Sequence, residues 1–216
     1  MSTPPRTHVV EHGDTVASIA RRFGFSSFKT IWNHPANAAL RAKRKNPNVL
    51  NPGDELVIPE RELRQEVRAT DLRHRFQTER ERLVLRVKPL DLNEDPVPGP
   101  FLYRDEFQIT MMTGKQGIHE VEIDPRVRTA EMRVNEPGKP PIRIGLDVGG
   151  LNTVDDGEGQ QDRLNNLGYF AGFSRTSIGT PQFQWAVEEF QCDQKLAIDG
   201  VCGPGTQARL EKRHGV

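Results

Sequence analysis

The chain has 216 residues, with 30 Lys and Arg against 30 Asp and Glu for a formal net charge of zero, and 35% of its residues are hydrophobic. That balance excludes a nucleic-acid partner held mainly through phosphate neutralisation, and no apolar run reaches the roughly 18–20 residues that span a bilayer. The polar start Met1-Ser2-Thr3-Pro4-Pro5-Arg6 has no apolar leader stretch, so cytoplasmic synthesis without a classical signal peptide is expected.

Residues 1–60 read as strand, helix, helix, strand. His8-Val9-Val10 suits a short edge strand, and Gly13-Asp14 then breaks the chain, with Asp14 expected to cap a helix that starts at Thr15. In that helix Val16, Ile19, Ala20 and Phe23 recur at i, i+3, i+4 and i+7, which makes one apolar stripe with Arg21 and Arg22 facing out. Gly24 follows as a helix-ending residue. Ser26 or Ser27 caps a second short helix carrying Phe28, Ile31 and Trp32, and Pro52-Gly53-Asp54 turns into the closing strand Glu55–Pro59.

The stretches HVVEHGDTVASIARRFGF and NPNVLNPGDELVIP resemble the two ends of a LysM domain. The resemblance implies recognition of N-acetylglucosamine-containing glycans, in bacteria usually peptidoglycan. The implied shallow groove has Gly13, Asp14 and Thr15 on one side and Pro47, Asn48, Val49 and Leu50 on the other. Backbone groups at tight loops suit acetamido groups, while apolar side chains cover a sugar face. Asp14 as a cap and Asn48 as a turn former also need no ligand. Between Trp32 and Asn48 the chain is longer than LysM modules usually allow. It carries a basic cluster, Arg41, Lys43, Arg44 and Lys45, read either as a solvated loop or as an insertion that blocks the glycan subsite, extends it, or binds an acidic protein surface.

Segment 61–82 holds 12 charged residues in 22 and is expected to be a linker, with a solvated helix as the alternative. Residues 83–150 alternate with period two. Leu83, Leu85 and Val87, then Phe107, Ile109 and Met111, then Val121 and Ile123, then Ile142, Ile144, Leu146 and Val148 form the expected inward rows. Gly- and Pro-rich turns at 96–100, 113–117 and 136–141 separate them, so a small antiparallel β-sandwich acting as a spacer is expected. His119 has no second His or Cys at ligand spacing, and no metal or cofactor is expected.

Residues 151–216 read as helical. Gln160–Leu167 presents Leu164 and Leu167 and stops at Gly168. Thr180-Pro181 marks a helix start, with Phe183, Ala186, Val187 and Phe190 on one face, and Pro204 opens a third helix with Ala208 and Leu210. QDRLNNLGY, AVEEFQ and DGVCGPGT resemble a three-helix peptidoglycan-binding domain of the kind attached to cell-wall hydrolases. In the last motif Asp199, Gly200, Gly203 and Thr206 read as structural. Tyr169 and Trp185 are the residues that would stack on a ligand if exposed, with core packing as the alternative. Cys192 and Cys202 allow one bridge at most, and two buried thiols are expected.

The fold class is therefore multidomain α+β: a LysM βααβ module at 1–60, a charged linker at 61–82, a β-sandwich at 83–150 and a three-helix bundle at 151–216. Glu188 and Glu189 are helix neighbours that point apart, no HExxH motif is present, and no catalytic residue is assigned. Two functions follow. One is non-catalytic anchoring to peptidoglycan through both ends. The other is an adaptor role in a type VI secretion or phage-like contractile injection apparatus, contacting its spike or tube proteins, with delivery to the periplasm or cell wall by that machine.

Overall fold

The structure, a computed structural model, describes residues 6–61, 67–75, 82–91, 95–134, 140–173 and 177–216. Within these the chain is a mixed helix and sheet protein with antiparallel sheets and six α-helices. It forms two compact units: Met1–His8, Gly13–Ala38 and Val57–Gly149 in the first, and Val9–His12, Ala39–Leu56 and Gly150–Val216 in the second. The LysM-like segment is thus divided between the two, so the units and the expected segments are cut along different lines.

Strands β1 (Arg6–Val9) and β2 (Glu55–Ile58) make a two-stranded sheet. Helix α1 (Val16–Arg22) opens on a capping box, in which Thr15 Oγ1 accepts from the Ser18 N–H at 3.1 Å and Ser18 Oγ accepts from the Thr15 N–H at 3.0 Å. The cap is Thr15 rather than the expected Asp14, because the Asp14 carboxylate is turned toward His8, Arg22 and Arg128. The helix ends as anticipated at Gly24, where the Gly24 N–H reaches Arg21 O and the Phe25 N–H reaches Ala20 O. Helix α2 (Phe28–Trp32) is capped by Ser27 and buries Ile31 and Trp32.

The long stretch after Trp32 is not a solvated loop. It forms a 3-10 turn, Pro35–Asn37, and helix α3, Ala38–Lys43, which buries Leu40. Asn37 explains the ordering: its Nδ2 donates to Ile31 O (2.9 Å) and Val57 O (2.8 Å), and its Oδ1 accepts from the Val57 N–H (2.8 Å). One buried amide thereby ties the turn to both α2 and β2. Of the expected linker, residues 62–66 and 76–81 lie outside the described residues, and 67–75 contains a turn at Thr70–Asp71 but no helix.

Seven strands follow: β3 (Leu83–Val87), β4 (Phe101–Arg104), β5 (Ile109–Met111), β6 (Thr113–Lys115), β7 (Ile118–Ile123), β8 (Thr129–Val134) and β9 (Ile142–Asp147). They form a three-stranded sheet, β3-β7-β6, and a four-stranded sheet, β5-β4-β8-β9. Both sheets feed one apolar cluster: Val121 and Ile123 with half-buried Leu83, Leu85 and Val87 from the first, Phe101, Tyr103, Met132 and Val134 from the second.

Three expectations here are corrected. Phe107, Ile109 and Met111 are exposed, and Met112 is the buried residue. Pairing with β4 sets this parity: Leu102 faces Met111 and Tyr103 faces Thr110, so burying the large rings of Phe101 and Tyr103 turns Ile109 and Met111 outward. The 113–117 stretch is not all turn, since β6 pairs with β7 through a two-residue connection at Gln116-Gly117, both at positive φ. Ile142 and Ile144 pair with Val134 and Met132 but remain 53% and 37% exposed on β9, the edge strand of the four-stranded sheet. Strands β4 and β8 escaped the sequence reading: FLYR is short, and TAEMRV mixes helix-favouring Ala, Glu and Met with its inward Met132 and Val134.

In the second unit α4 (Gly157–Asn166), α5 (Pro181–Asp193) and α6 (Pro204–His214) contribute to a core of Leu164, Phe183, Ala186, Val187, Phe190 and Leu210. Asp156 caps α4, three residues before the expected start, and Thr180 caps α5 as expected. Gln191 is the polar centre of this unit and is 1% exposed. Its Nε2 lies 2.7 Å from Asp199 Oδ1 and 3.0 Å from both Val201 O and Thr206 Oγ1, while its Oε1 accepts from the Asp199 and Gly200 N–H groups. This one amide accounts for Asp, Gly and Thr in the DGVCGPGT motif. Gly200 is required there because a Cβ would lie 2.6 Å from Gln184 Cγ. Cys192 is exposed and Cys202 half-buried, both free, so the expectation of two buried thiols fails for Cys192.

Arg163 is buried beside α6 and donates to the carbonyls of Asn152, Gly159 and Val216. Burial and the Arg163 charge push the His214 pKa below its ordinary 6.5. The neutral ring accepts from Asn166 Nδ2 at 3.0 Å.

Two outcomes are expected. Replacing Gln191 by Ala strands several buried groups and should cost roughly 2–4 kcal/mol in urea unfolding. For His214 the folded state resists protonation, so below about pH 6.5 the unfolded chain binds the proton first. Thermal stability should therefore fall as pH drops from 7 toward 5, and His214→Gln should flatten that slope.

Candidate functional site

The expected groove residues on the first side lie in the first unit, and all three are buried. Asp14 is 3% exposed, and its carboxylate accepts from His8 Nε2 (2.9 Å), Arg22 (2.9 Å) and Arg128 (3.3 Å). Arg128 precedes β8 and also reaches Ser18 Oγ at 3.4 Å. Thr15 commits its N–H and hydroxyl to the capping box. Gly13 packs under the Arg128 side chain, and its carbonyl lies so close to Gly149 that a Cβ there would sit 2.9 Å from the oxygen. With φ at +81°, Gly149 is doubly restricted to glycine.

The residues of the other side lie in the second unit. Val49 and Leu50 are buried, Pro47 is half-buried and Asn48 is exposed. Asn48 donates its N–H to Asn46 Oδ1 (2.9 Å), as a turn former does. Next along, Asn51 Oδ1 accepts both the N–H (2.9 Å) and the hydroxyl (3.1 Å) of Thr153.

The basic cluster divides. Arg44 is 7% exposed and grips Asp54 through Nε at 2.7 Å and Nη2 at 3.2 Å, with Thr153 Oγ1 3.2 Å from Nη1. Burial alone would raise the Asp54 pKa, but the Arg44 guanidinium, the Asn51 N–H and Lys43 outweigh it and hold the carboxyl below 3.8. Lys43 is exposed but also bonds Asp54 at 3.2 Å, Arg41 is half-buried and Lys45 is exposed. As a partner-facing patch the cluster loses Arg44, because its charge is already neutralised inside the fold.

Of the two aromatic residues named for stacking, Tyr169 is buried edge-on against Phe190, with its hydroxyl donating to Asp193. Trp185 on α5 is 65% exposed. Sequence reasoning missed Phe170 and Phe173, which meet edge to face at 4.7 Å, Phe173 being 95% exposed. Tyr169 and Ala171 are buried and Phe170 between them is not, an alternation that packing sets and no sequence pattern marks.

A cleft of about 240 Å³ in the first unit is lined by Phe25, Phe28, Phe107, Arg82, Glu122 and Asp124. Two of its acids are already paired, Glu122 with Arg82 at 3.2 Å and Asp124 with Arg126 at 2.8 Å, and Arg21 also lines it. Among the described residues no group of three or more His, Cys, Asp or Glu is placed to hold a metal ion.

Against known families, two segments match. Residues 8–59 match the LysM domain. Residues 160–210 match the PG_binding_1 peptidoglycan binding domain. No curated protein and no solved structure matched the chain. Both matched families are binding domains, and together they point to peptidoglycan as the ligand.

Removing Arg44 leaves the Asp54 carboxylate buried with Lys43 as its remaining cation. Arg44→Ala should therefore cost roughly 3–5 kcal/mol, read as a lowered urea midpoint.

Proposed function

We propose that this protein binds peptidoglycan without cleaving it, and so anchors or targets a protein or particle to the bacterial cell wall. One observation carries the reading: two unrelated peptidoglycan-associated families match different ends of one chain. Two weak grips on one polymer raise retention through effective concentration, with no new contact required. In the C-terminal module the exposed faces of Trp185, Phe170 and Phe173 are the flat apolar surfaces suited to a sugar ring or stem peptide. The two-sheet region between the matched segments serves as a spacer of sandwich type.

The adaptor reading, as a component of a type VI secretion or phage-like injection apparatus that touches spike or tube proteins and is carried by it to the periplasm, has one observation in its favour. The Gly13–Thr15 loop is already engaged in protein contact, with Arg128 and Gly149. Under this reading LysM surfaces act in protein docking.

Co-sedimentation of the full chain with purified sacculi tests the first reading. The protein should leave the supernatant, and Trp185→Ala should weaken retention roughly three- to tenfold. A folded chain that stays wholly in solution would rule out wall binding, and co-purification with a spike or tube protein would then support the adaptor.

A further inference from the structure

Asp14 is a carboxylate held almost out of solvent, and its partners His8, Arg22 and Arg128 differ in origin. His8 and Arg22 are its close neighbours in sequence, but Arg128 comes from 114 residues away. The long-range partner also covers the loop backbone: its Cδ and Nε lie 3.5 Å from where a Gly13 Cβ would be. Beside it the Gly149 backbone closes on the Gly13 carbonyl, and the Val148 N–H bonds Arg128 O at 2.7 Å, so residues 128 and 148–149 form one braced edge. A ligand at Gly13–Thr15 would have to take the place of this edge, since the Thr15 N–H is bound to Ser18 and the Asp14 oxygens to their cations.

We infer that Arg128 is a latch that keeps the Gly13–Thr15 loop shut against N-acetylglucosamine oligomers, so that LysM-type glycan binding by this chain depends on displacing it. This concerns regulation of a site named under the proposed function and rests on that reading. Arg128 is the weak member of the trio. Its bond to Asp14 is longer, at 3.3 Å, than the 2.9 Å bonds of His8 and Arg22, and unlike Arg22 it is not part of α1, so a ligand can lift it without disturbing that helix. Arg22 still faces the carboxylate with its charge when Arg128 leaves, and His8 keeps its hydrogen bond. In the second unit, the Thr153 bonds to Asn51 commit the segment just past Pro47–Leu50 in a comparable way.

The test titrates the full chain with triacetylchitotriose and follows the amide resonances of Gly13, Asp14 and Thr15. Four proteins are compared: wild type, Arg128→Ala, Arg128→Gln and Arg128→Ala with Thr153→Ala, each checked for a native thermal transition. Wild type should show little response, and the Arg128 variants should bind at least tenfold more tightly with shifts centred on the three amides. Wild type binding the trimer as tightly as Arg128→Ala would overturn the latch. So would folded variants, the double one included, that stay blind to the sugar. Sacculi sedimentation of the same proteins separates the failures: loss of all wall retention defeats the proposed function, whereas retained sedimentation with a silent trimer titration defeats only the latch.

Discussion

The first unit is organised around a negative charge that it has taken out of water. Leaving a carboxylate unpaired in such a place costs several kcal/mol, so the chain must bring cations to it. Asp14 receives a histidine from β1, an arginine from the last turn of α1, and a second arginine from just before β8. Because that last residue belongs to the sheet region, satisfying one carboxylate joins the LysM-like helix to the strands. The same requirement moves the helix cap to Thr15 and fixes Gly149, where backbone meets backbone.

The second unit solves similar problems with different means. Asp54 is neutralised by Arg44, a residue whose position in a basic run suggested a surface role. Arg163 is held instead by backbone oxygens of Asn152, Gly159 and Val216. Gln191 supplies both donors and acceptors to the Asp199–Thr206 turn, which lets a short loop follow α5 without orphaned backbone groups. Buried polar groups of this kind fix geometry rather than add net stability, since each one largely repays its own desolvation. The matched domain families lie on both sides of the sheet region, and the ligand they indicate is the same polymer.

For function the consequence is an asymmetry between the two matched segments. The LysM-like loop residues are committed to the chain itself, whereas the C-terminal module leaves Trp185, Phe170 and Phe173 in solvent. Aromatic faces held on a helix and an extended segment lose little entropy on meeting a ligand, which suits a weak, repeated grip on a polymer.

Local signals were legible in the sequence wherever a few neighbouring residues decide the outcome. Gly24 ends α1, Ser27, Thr180 and Pro204 mark helix starts, and the i, i+3, i+4 rows of α1 and α5 name their buried faces. The two family resemblances were legible for the same reason, as they rest on turn and cap residues at set spacing. What tertiary structure alone decided is everything that depends on which distant group arrives. Pairing with β4 set the outward parity of Ile109 and Met111, Ile142 and Ile144 stayed exposed on the edge strand β9, and Asp54 drew Arg44 inside. Sequence periodicity states which residues share a face. Only the packed neighbours determine whether that face is covered, or whether a charge has found its counterion.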